Sequence, residues 1–236
     1  MVIKWSYRMN AHCIILARGG SKGIPNKNII DFCGKPLISW TIDQFSESKF
    51  IENIWVSSDS DIILDVARSH SVNLIKRPSE FSDDQSSSES AWMHAINFIR
   101  GKNQFIDTVI APQVTSPLRE VKDIDNAFRV FIDNELDSLF SASISEDLFF
   151  WTDEDSEIKS FNYDFQNRKR RQDIPKQIIE NGSFYIFKTN IIEKYVNRLG
   201  GKIGYSEMDF WKVFEIDNLT DIRICSSIMK EFLLGE

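Results

Sequence analysis

The chain has 236 residues, of which 42% are hydrophobic and 27% charged, a composition typical of a folded globular protein rather than a disordered one. This length accommodates one full-sized α/β domain with a modest appendage and excludes two large catalytic domains. Lysine and arginine total 28 against 35 aspartates and glutamates, so the net charge of −7 disfavours a general nucleic-acid binder.

Short apolar strands alternate with amphipathic helices over the first part of the chain. Five runs predict strands: 12–17, 53–58, 72–76, 107–112 and 137–143. Four segments with helical periodicity lie between them: 36–45, 61–69, 88–99 and 121–132. Strands and helices in this order predict right-handed βαβ units, and continuously apolar strands indicate a sheet buried on both faces. The predicted fold class is therefore α/β, doubly wound, with a mostly parallel sheet and helices on both faces.

The alternation breaks after about residue 145. The stretch that follows is polar, aromatic and basic in patches, and 177–188 then predicts a strand pair or a bulged strand around Asn181-Gly182. A short helix, a strand and a final helix complete the prediction: 190–197, 202–206 and 219–233. We interpret the whole chain, 1–236, as a single domain, with 145–205 as an excursion from the sheet that builds a substrate wall, a subunit contact, or both.

The segment ARGGSKGIPNKN follows the first predicted strand and therefore lies at the carboxyl edge of the sheet, where open α/β folds bind ligands. Its glycines allow close backbone approach and its cations suit a polyanion such as a triphosphate: Gly19, Gly20, Gly23, Arg18, Lys22 and Lys27. The glycine spacing matches neither a P-loop nor the dinucleotide-binding fingerprint. A flexible basic loop is the alternative, and the buried strand before the segment favours the anion site.

The segment PQVTSPLR (112–119) also follows a strand directly. Gln113 both donates and accepts hydrogen bonds, so it can read a polar substrate, and Thr115 and Ser116 add hydroxyls as candidate substrate contacts. Arg119 could hold an anion or stack on the following helix. The alternative for the whole segment is a proline-stiffened turn with a helix cap.

Four successive cations form the run RKRR (168–171) in this acidic chain. Such a run is usually a solvated surface, and a nuclear-import or nucleic-acid patch is a further alternative. Its position just before the ENGSF turn favours a wall of the site instead, because arginines bind carboxylate-bearing substrates well.

Glu215 and Asp217 alternate in the segment FEID, so in an extended backbone their carboxylates lie on one face. Paired carboxylates suit Mg²⁺, which prefers oxygen ligands. The alternative is a helix cap, in which Asp217 or Asn218 accepts from free backbone N–H groups. Asp59, at the end of the second strand, could be a site carboxylate or the cap of the next helix, and we interpret it as the cap.

Three scattered cysteines and three histidines form neither a disulfide framework nor a metal-spaced cluster. No run of about eighteen apolar residues predicts a membrane span. The first ten residues lack the apolar region of a secretory signal, so we expect a reduced, cytoplasmic protein.

Together these segments resemble the acylneuraminate cytidylyltransferases, the CMP-N-acetylneuraminic acid synthetases. The matching stretches run in order from residue 14 to residue 217: ILARGGSKGIPNKNI, IWVSSDSDII, KRPSEFSDDQSSS, QVTSPLR, RRQDIP, ENGSFYIFK, GGKIGYSEM and EID. The first and fourth of these are specific to the cytidylyltransferase group. The stretches around RRQD, ENGSFY and GGKIGYSEM look most like the sialic acid branch.

The resemblance implies an enzyme that activates a sialic acid with CTP and Mg²⁺, giving CMP-sugar and pyrophosphate. It also implies a nucleotide-diphospho-sugar-transferase-like fold and a homodimer formed through the excursion. The nucleotide site would comprise Arg18, Gly19, Gly20, Ser21, Lys22, Lys27, Asn28, Arg77 and Ser88. The sugar site would comprise Gln113, Arg171, Asn181 and Tyr185, beside Thr115 and Ser116. Mg²⁺ would be held by Asp217 and Glu215, and the residues expected to act on the reacting phosphates are Lys22, Arg18 and Asp217.

One position departs from the family pattern, which usually reads Asp-Ile-Asp where this chain has Glu215-Ile216-Asp217. The glutamate keeps the charge but adds a methylene, so it is the less secure metal ligand. Two alternatives stay open: a sister cytidylyltransferase for another nonulosonic or octulosonic acid, and a catalytically silent nucleotide- or sugar-binding module.

Overall fold

The structure is a computed structural model that describes residues 10–20, 23–83, 86–145 and 148–236, without the side chain of Arg171. Its strands are β1 (Ala11–Leu16), β2 (Asp31–Phe32), β3 (Lys35–Pro36), β4 (Ile51–Ser58), β5 (Asn73–Lys76), β6 (Thr108–Pro112), β7 (Ser138–Ser145), β8 (Trp151–Glu154), β9 (Glu157–Ser160), β10 (Gln177–Lys188) and β11 (Ile203–Met208). Its α-helices are α1 (Leu37–Ser46), α2 (Asp61–Arg68), α3 (Ser88–Gly101), α4 (Val121–Asp133), α5 (Thr189–Tyr195) and α6 (Leu219–Ile228). A π-helical turn, Met229–Leu234, extends α6. None of the described helices is both long and apolar enough to cross a membrane.

Seven strands form the central sheet in the order β11-β7-β10-β6-β1-β4-β5. Four neighbouring pairs are parallel, and β10 runs antiparallel to both β6 and β7. Two small hairpins, β2-β3 and β8-β9, lie outside this sheet. The predicted doubly wound, mostly parallel α/β fold is confirmed, although the antiparallel strand was not foreseen.

The sheet is buried on both faces, and its central strands β1 and β6 are mostly apolar and almost wholly buried. In β1, Cys13 and Ile15 pack into one core cluster with α1, α2 and α4, while Ile14 packs into a second cluster with α3 and α5. Successive side chains of a strand point to opposite faces, so each apolar strand serves both clusters. The loops at the carboxyl ends of the strands are thereby fixed on a rigid base.

The excursion predicted over 145–205 leaves the sheet only in part, which corrects its extent. β10 lies in the middle of the sheet and β11 forms one edge, so among the described residues the outlying part is 148–176, with the β8-β9 hairpin. β10 belongs to the interior because positions 181–187 are all buried. Its register shifts between Glu180 and Tyr185, so the bulged strand is the correct alternative of the two predicted.

Candidate active site

A cavity of about 620 Å³ opens at the carboxyl ends of the parallel strands β1 and β6. The loop after β1, the loop after β6 and the N-terminal end of α3 form its walls. Eight of the residues predicted to bind nucleotide, sugar or metal line it: Arg18, Lys27, Asn28, Arg77, Ser88, Gln113, Thr115 and Asp217. The position agrees with the ligand-binding edge expected of an open α/β sheet. We refer to it as the site cavity.

The loop after β1 is held by hydrogen bonds from both sides. The backbone N–H of Gly19 donates to Asp59 Oδ1 at 2.9 Å, and the buried Asn28 amide donates to the Arg18 carbonyl at 2.9 Å. The interpretation of Asp59 as a helix cap is wrong, since Ser60 occupies the N-cap position of α2. Asp59 follows β4, the strand beside β1, and that adjacency is the signal that could have linked it to the glycine loop.

The segment Glu215–Asp217 joins the two loops. The Ile216 N–H donates to the Thr115 carbonyl at 2.8 Å, and Lys27 Nζ lies 2.9 Å from Asp217 Oδ1. A Cβ on Gly23 would lie 2.5 Å from the Asp217 carbonyl oxygen, so glycine is required for this close approach. The neighbouring Asn218, and not Asp217, caps α6 with its side chain. Asp217, whose side chain is 71% exposed, stays available to the site cavity.

Glu215 is half-buried and lies against the bulge of β10. A Cβ on Gly182, whose φ is +66°, would collide with Glu215 Oε1. Burial raises the pKa of Glu215, and the nearby negative charge of Asp217 acts in the same direction. The two carboxylates repel each other, and Glu215 is half-buried. A hard divalent cation bound between their oxygens would offset that repulsion. Among the described residues no group of three or more His, Cys, Asp or Glu is placed to hold a metal, so other ligands would have to come from substrate or water.

Arg119 is a buried support of the loop after β6 rather than an anion receptor. Its side chain is 1% exposed and donates to the carbonyls of Gln113 and Ser116 and to the hydroxyls of Ser183 and Thr41. Burial lowers the pKa of Arg119 to about 9, which still leaves it charged at neutral pH. The guanidinium therefore fixes the backbone from which Gln113 and Thr115 reach the site cavity.

Three predicted sugar contacts are buried and are not among the residues that line the site cavity: Ser116, Asn181 and Tyr185. Ser116 and Asn181 are buried, and the Asn181 amide donates to the Ser143 hydroxyl at 3.2 Å. Tyr185 is also buried, its hydroxyl donates to Glu180, and burial raises its pKa. Tyr185 contacts the lining through its ring, whose centre lies 4.6 Å from the Arg198 guanidinium.

Some predictions fall where the structure gives no description. Ser21 and Lys22 lie outside the described residues, as does the side chain of Arg171. Within the RKRR run, Arg168 stacks on Phe149 at 4.4 Å and Arg170 pairs with Asp173 at 2.9 Å. Both cations therefore contact partners within residues 148–176, which we call the outlying segment.

Arg198 lines the site cavity and was not identified from the sequence. Its guanidinium lies 4.8 Å from the centre of the Trp92 ring and 4.6 Å from that of Tyr185. These partners come from α3 and β10, far apart in the chain, so no local motif could have revealed the cluster.

The chain is similar to known proteins over most of its length. The family model described as Cytidylyltransferase matches residues 12–208. A pseudaminic acid cytidylyltransferase of Campylobacter jejuni subsp. jejuni serotype O:23/36 (strain 81-176) is 37% identical over 177 residues, covering 73% of this chain and 76% of the relative. N-acylneuraminate cytidylyltransferase A of Danio rerio is 36% identical over 199 residues, covering 83% of this chain and 45% of that protein.

Solved structures share the fold at lower identity. A CMP:2-keto-3-deoxy-manno-octonic acid synthetase complexed with CTP superposes with a TM-score of 0.72 at 13% identity, covering 95% of this chain and 100% of the other. At that identity the likeness shows the fold alone. From the family match and the two sequence relatives, the chain belongs to the cytidylyltransferase family, in the group that contains the N-acylneuraminate and pseudaminic acid enzymes.

Proposed function

We propose that this cytidylyltransferase transfers CMP from CTP to a nine-carbon keto sugar acid, a sialic-acid-like nonulosonic acid, and releases pyrophosphate. The observation that supports this most directly is the site cavity itself, in which a cationic glycine loop, the Gln113 loop and the carboxylate of Asp217 converge. Both sequence relatives described above have names that specify nine-carbon sugar acids. The resemblance of the ENGSFY and GGKIGYSEM stretches favours the sialic acid branch.

In this reaction the anomeric hydroxyl releases its proton to solvent, and its oxygen forms a bond to the α-phosphorus of CTP. The bond between the α-phosphorus and the bridging oxygen breaks, and its electron pair leaves with pyrophosphate. Transfers of this kind depend mainly on positioning and charge neutralisation. Arg18 and Lys27 line the site cavity on the side of the glycine loop, where they would meet the phosphates. Lys22, in the same loop, is expected to neutralise the departing pyrophosphate.

The carboxylates of Glu215 and Asp217 would hold Mg²⁺. When bound, that ion neutralises phosphate oxygens and helps to orient them. Lys27 engages one oxygen of Asp217, so this lysine would also keep the carboxylate in place near the phosphates. Gly182 leaves the space that the longer Glu215 side chain needs.

The test is pyrophosphate release by the wild-type protein from CTP, with Mg²⁺ or EDTA, across a panel of sugar acids. N-acetylneuraminate, pseudaminate and 3-deoxy-manno-octulosonate are compared with a no-sugar control, and UTP replaces CTP in a parallel series. We expect metal-dependent release with CTP and a nine-carbon acid. Pyrophosphate release with only the eight-carbon acid would show that the substrate is an octulosonic acid instead. CTP binding without pyrophosphate release in the presence of any acid would support the silent-module alternative.

A further inference from the structure

Arg198 is held in one orientation on the wall of the site cavity. Its guanidinium lies 4.8 Å from the centre of the Trp92 ring and 4.6 Å from that of Tyr185, and its Nε donates to Glu89 Oε1 at 2.9 Å. The Arg198 side chain is 23% exposed and that of Glu89 13% exposed. A guanidinium stacked on aromatic rings and tethered at Nε loses little further freedom when it binds a ligand.

The unused part of this guanidinium is its terminal fork. Within the described part of the chain, Arg198 Nε donates a hydrogen bond to Glu89, whereas the two terminal nitrogens of the guanidinium make no hydrogen bond. Two parallel N–H donors in a plane match the two oxygens of a carboxylate. Arginine at this position therefore offers a prepared receptor for an oxyanion inside the site cavity.

The sheet order separates this receptor from the phosphate loop. The glycine loop follows β1, whereas Tyr185 lies on β10, and β6 stands between these two strands. Two strand spacings amount to about 10 Å. Tyr185, on which Arg198 lies, and the glycine loop are therefore on opposite sides of β6. With the phosphates on the glycine-loop side, the Arg198 fork is left for the second anion of the reaction, the sugar acid.

Building on the proposed function, we infer that Arg198 is a specificity-determining residue that binds the carboxylate of the sugar substrate. It selects an acid over a neutral sugar of the same shape, because the stacked guanidinium pairs with the charged group alone. Trp92 and Tyr185 hold it in place, and Glu89 fixes the direction of its Nε.

Calorimetric titration tests this inference without requiring turnover. The protein is saturated with the α,β-methylene analogue of CTP and Mg²⁺, then titrated with N-acetylneuraminate, with pseudaminate and with the methyl ester of each. We expect the wild type to bind one of these acids about 30-fold more tightly than its ester, in the range of a charged hydrogen-bond pair. In Arg198→Met that ratio falls to within about threefold, with affinity for the nucleotide analogue unchanged.

Arg100→Met is the matched control. Arg100 also connects α3 to the chain after β10, through Glu193 and Thr189, but it does not line the site cavity. This variant should keep the wild-type ratio. Arg198→Lys, which keeps the charge and loses the fork, should give an intermediate ratio and covers the case in which Arg198→Met does not fold.

The outcomes separate the two proposals. If the wild type discriminates acid from ester and the Arg198 variants discriminate equally well, the role of Arg198 is overturned while the proposed function stands. If the wild type binds the acid and its ester with equal affinity, the role of Arg198 is likewise overturned and the proposed function still stands. If the wild type binds the nucleotide analogue but none of the sugars, and releases no pyrophosphate with CTP, both proposals fail.

Discussion

Arg119 and Gly182 control the site without lining it. Arg119 donates to the carbonyls of Gln113 and Ser116 in the loop after β6, and the Ser116 carbonyl is buried. Gly182 combines a left-handed backbone with a close approach to Glu215. Arg119 supplies hydrogen bonds and Gly182 supplies space, so we expect substitutions at the two positions to have different effects on stability and activity.

Arg119→Met should cost about 3–5 kcal/mol in the free energy of unfolding, because it strands buried carbonyl and hydroxyl groups that now accept from the guanidinium. Urea denaturation measures this cost. Arg129→Met is the control, since Arg129 is exposed on α4 and donates to Asn126 of its own helix; its cost should stay within about 0.5 kcal/mol. A loss below about 1 kcal/mol for Arg119→Met would contradict the supporting role.

Gly182→Ala should reduce both stability and turnover, because its Cβ would collide with the Glu215 carboxylate as well as strain the backbone. Gly34→Ala separates the two effects. Gly34 has φ +87°, and a Cβ added there would meet nothing within 4 Å, so this change should cost only the backbone strain of about 1–2 kcal/mol. Thermal unfolding and pyrophosphate release compare the two variants. If the two variants lost the same amount of stability and the same amount of turnover, the contact between position 182 and Glu215 would be unimportant.

At the scale of elements, a buried ion-pair cluster fixes the segment that leads into Glu215. Lys212, which is 1% exposed, lies 2.7 Å from Asp123 Oδ2 and 2.8 Å from Glu120 Oε2 at the start of α4. Burial raises the pKa of Asp123, although the hydrogen bond from Lys212 opposes that effect. The cluster therefore ties the turn Phe210–Val213, just before the FEID segment, to α4.

Lys212→Met should destabilise the protein by about 3–5 kcal/mol at pH 7, because it leaves a buried carboxylate without its partner. Without the lysine, the folded state holds the Asp123 proton more strongly than the unfolded state does. The deficit should therefore shrink as the pH falls from 7 towards the titration range of that carboxyl. Chemical denaturation at several pH values measures it.

Lys122→Met provides the comparison for that series. Lys122 pairs with the same Glu120 at 2.8 Å, but its side chain is 61% exposed, so its loss should cost under about 1 kcal/mol. A deficit for Lys212→Met that grows on acidification would contradict the assigned role of Asp123.

The same elements show which features local sequence predicts. β1 and β4 were foreseen because continuous apolar runs identify strands buried on both faces. The sequence did not predict that β10 lies between β6 and β7, because strand order depends on contacts between distant segments. Likewise, the glycine loop was recognisable from its residues, whereas Asp59 and Arg198 reach the site only through tertiary packing.

At the scale of the whole molecule, a net negative chain concentrates cations in one cavity. The lining includes four arginines or lysines, which suit the anionic substrates of the proposed reaction: Arg18, Lys27, Arg77 and Arg198. A cavity lined in this way raises the local concentration of anions, and this attraction weakens with salt. The acidic composition therefore disfavours a general nucleic-acid binder and is still compatible with a site for anionic small molecules.

The outlying segment predicts a homodimer. Trp151 contacts Tyr163 and Phe165, yet Trp151 is 46% exposed and Phe165 54%. Phe161, in the same segment, is 74% exposed. Exposed apolar clusters of this kind usually meet a partner. Light scattering after size exclusion should give about twice 27.4 kDa. Phe161→Ser should shift the protein towards monomer, while Phe105→Ser, at an exposed site before β6, should not; a wild-type monomer would contradict the prediction.

Phosphorus NMR of the reaction mixture tests the central claim most directly. Wild-type protein with CTP, Mg²⁺ and the preferred nine-carbon sugar acid should convert the CTP resonances into a phosphodiester and pyrophosphate in equal amounts. That result would establish attack at the α-phosphorus by the sugar hydroxyl. Unchanged CTP in the presence of folded, nucleotide-binding protein, or release of orthophosphate without a phosphodiester, would contradict the account.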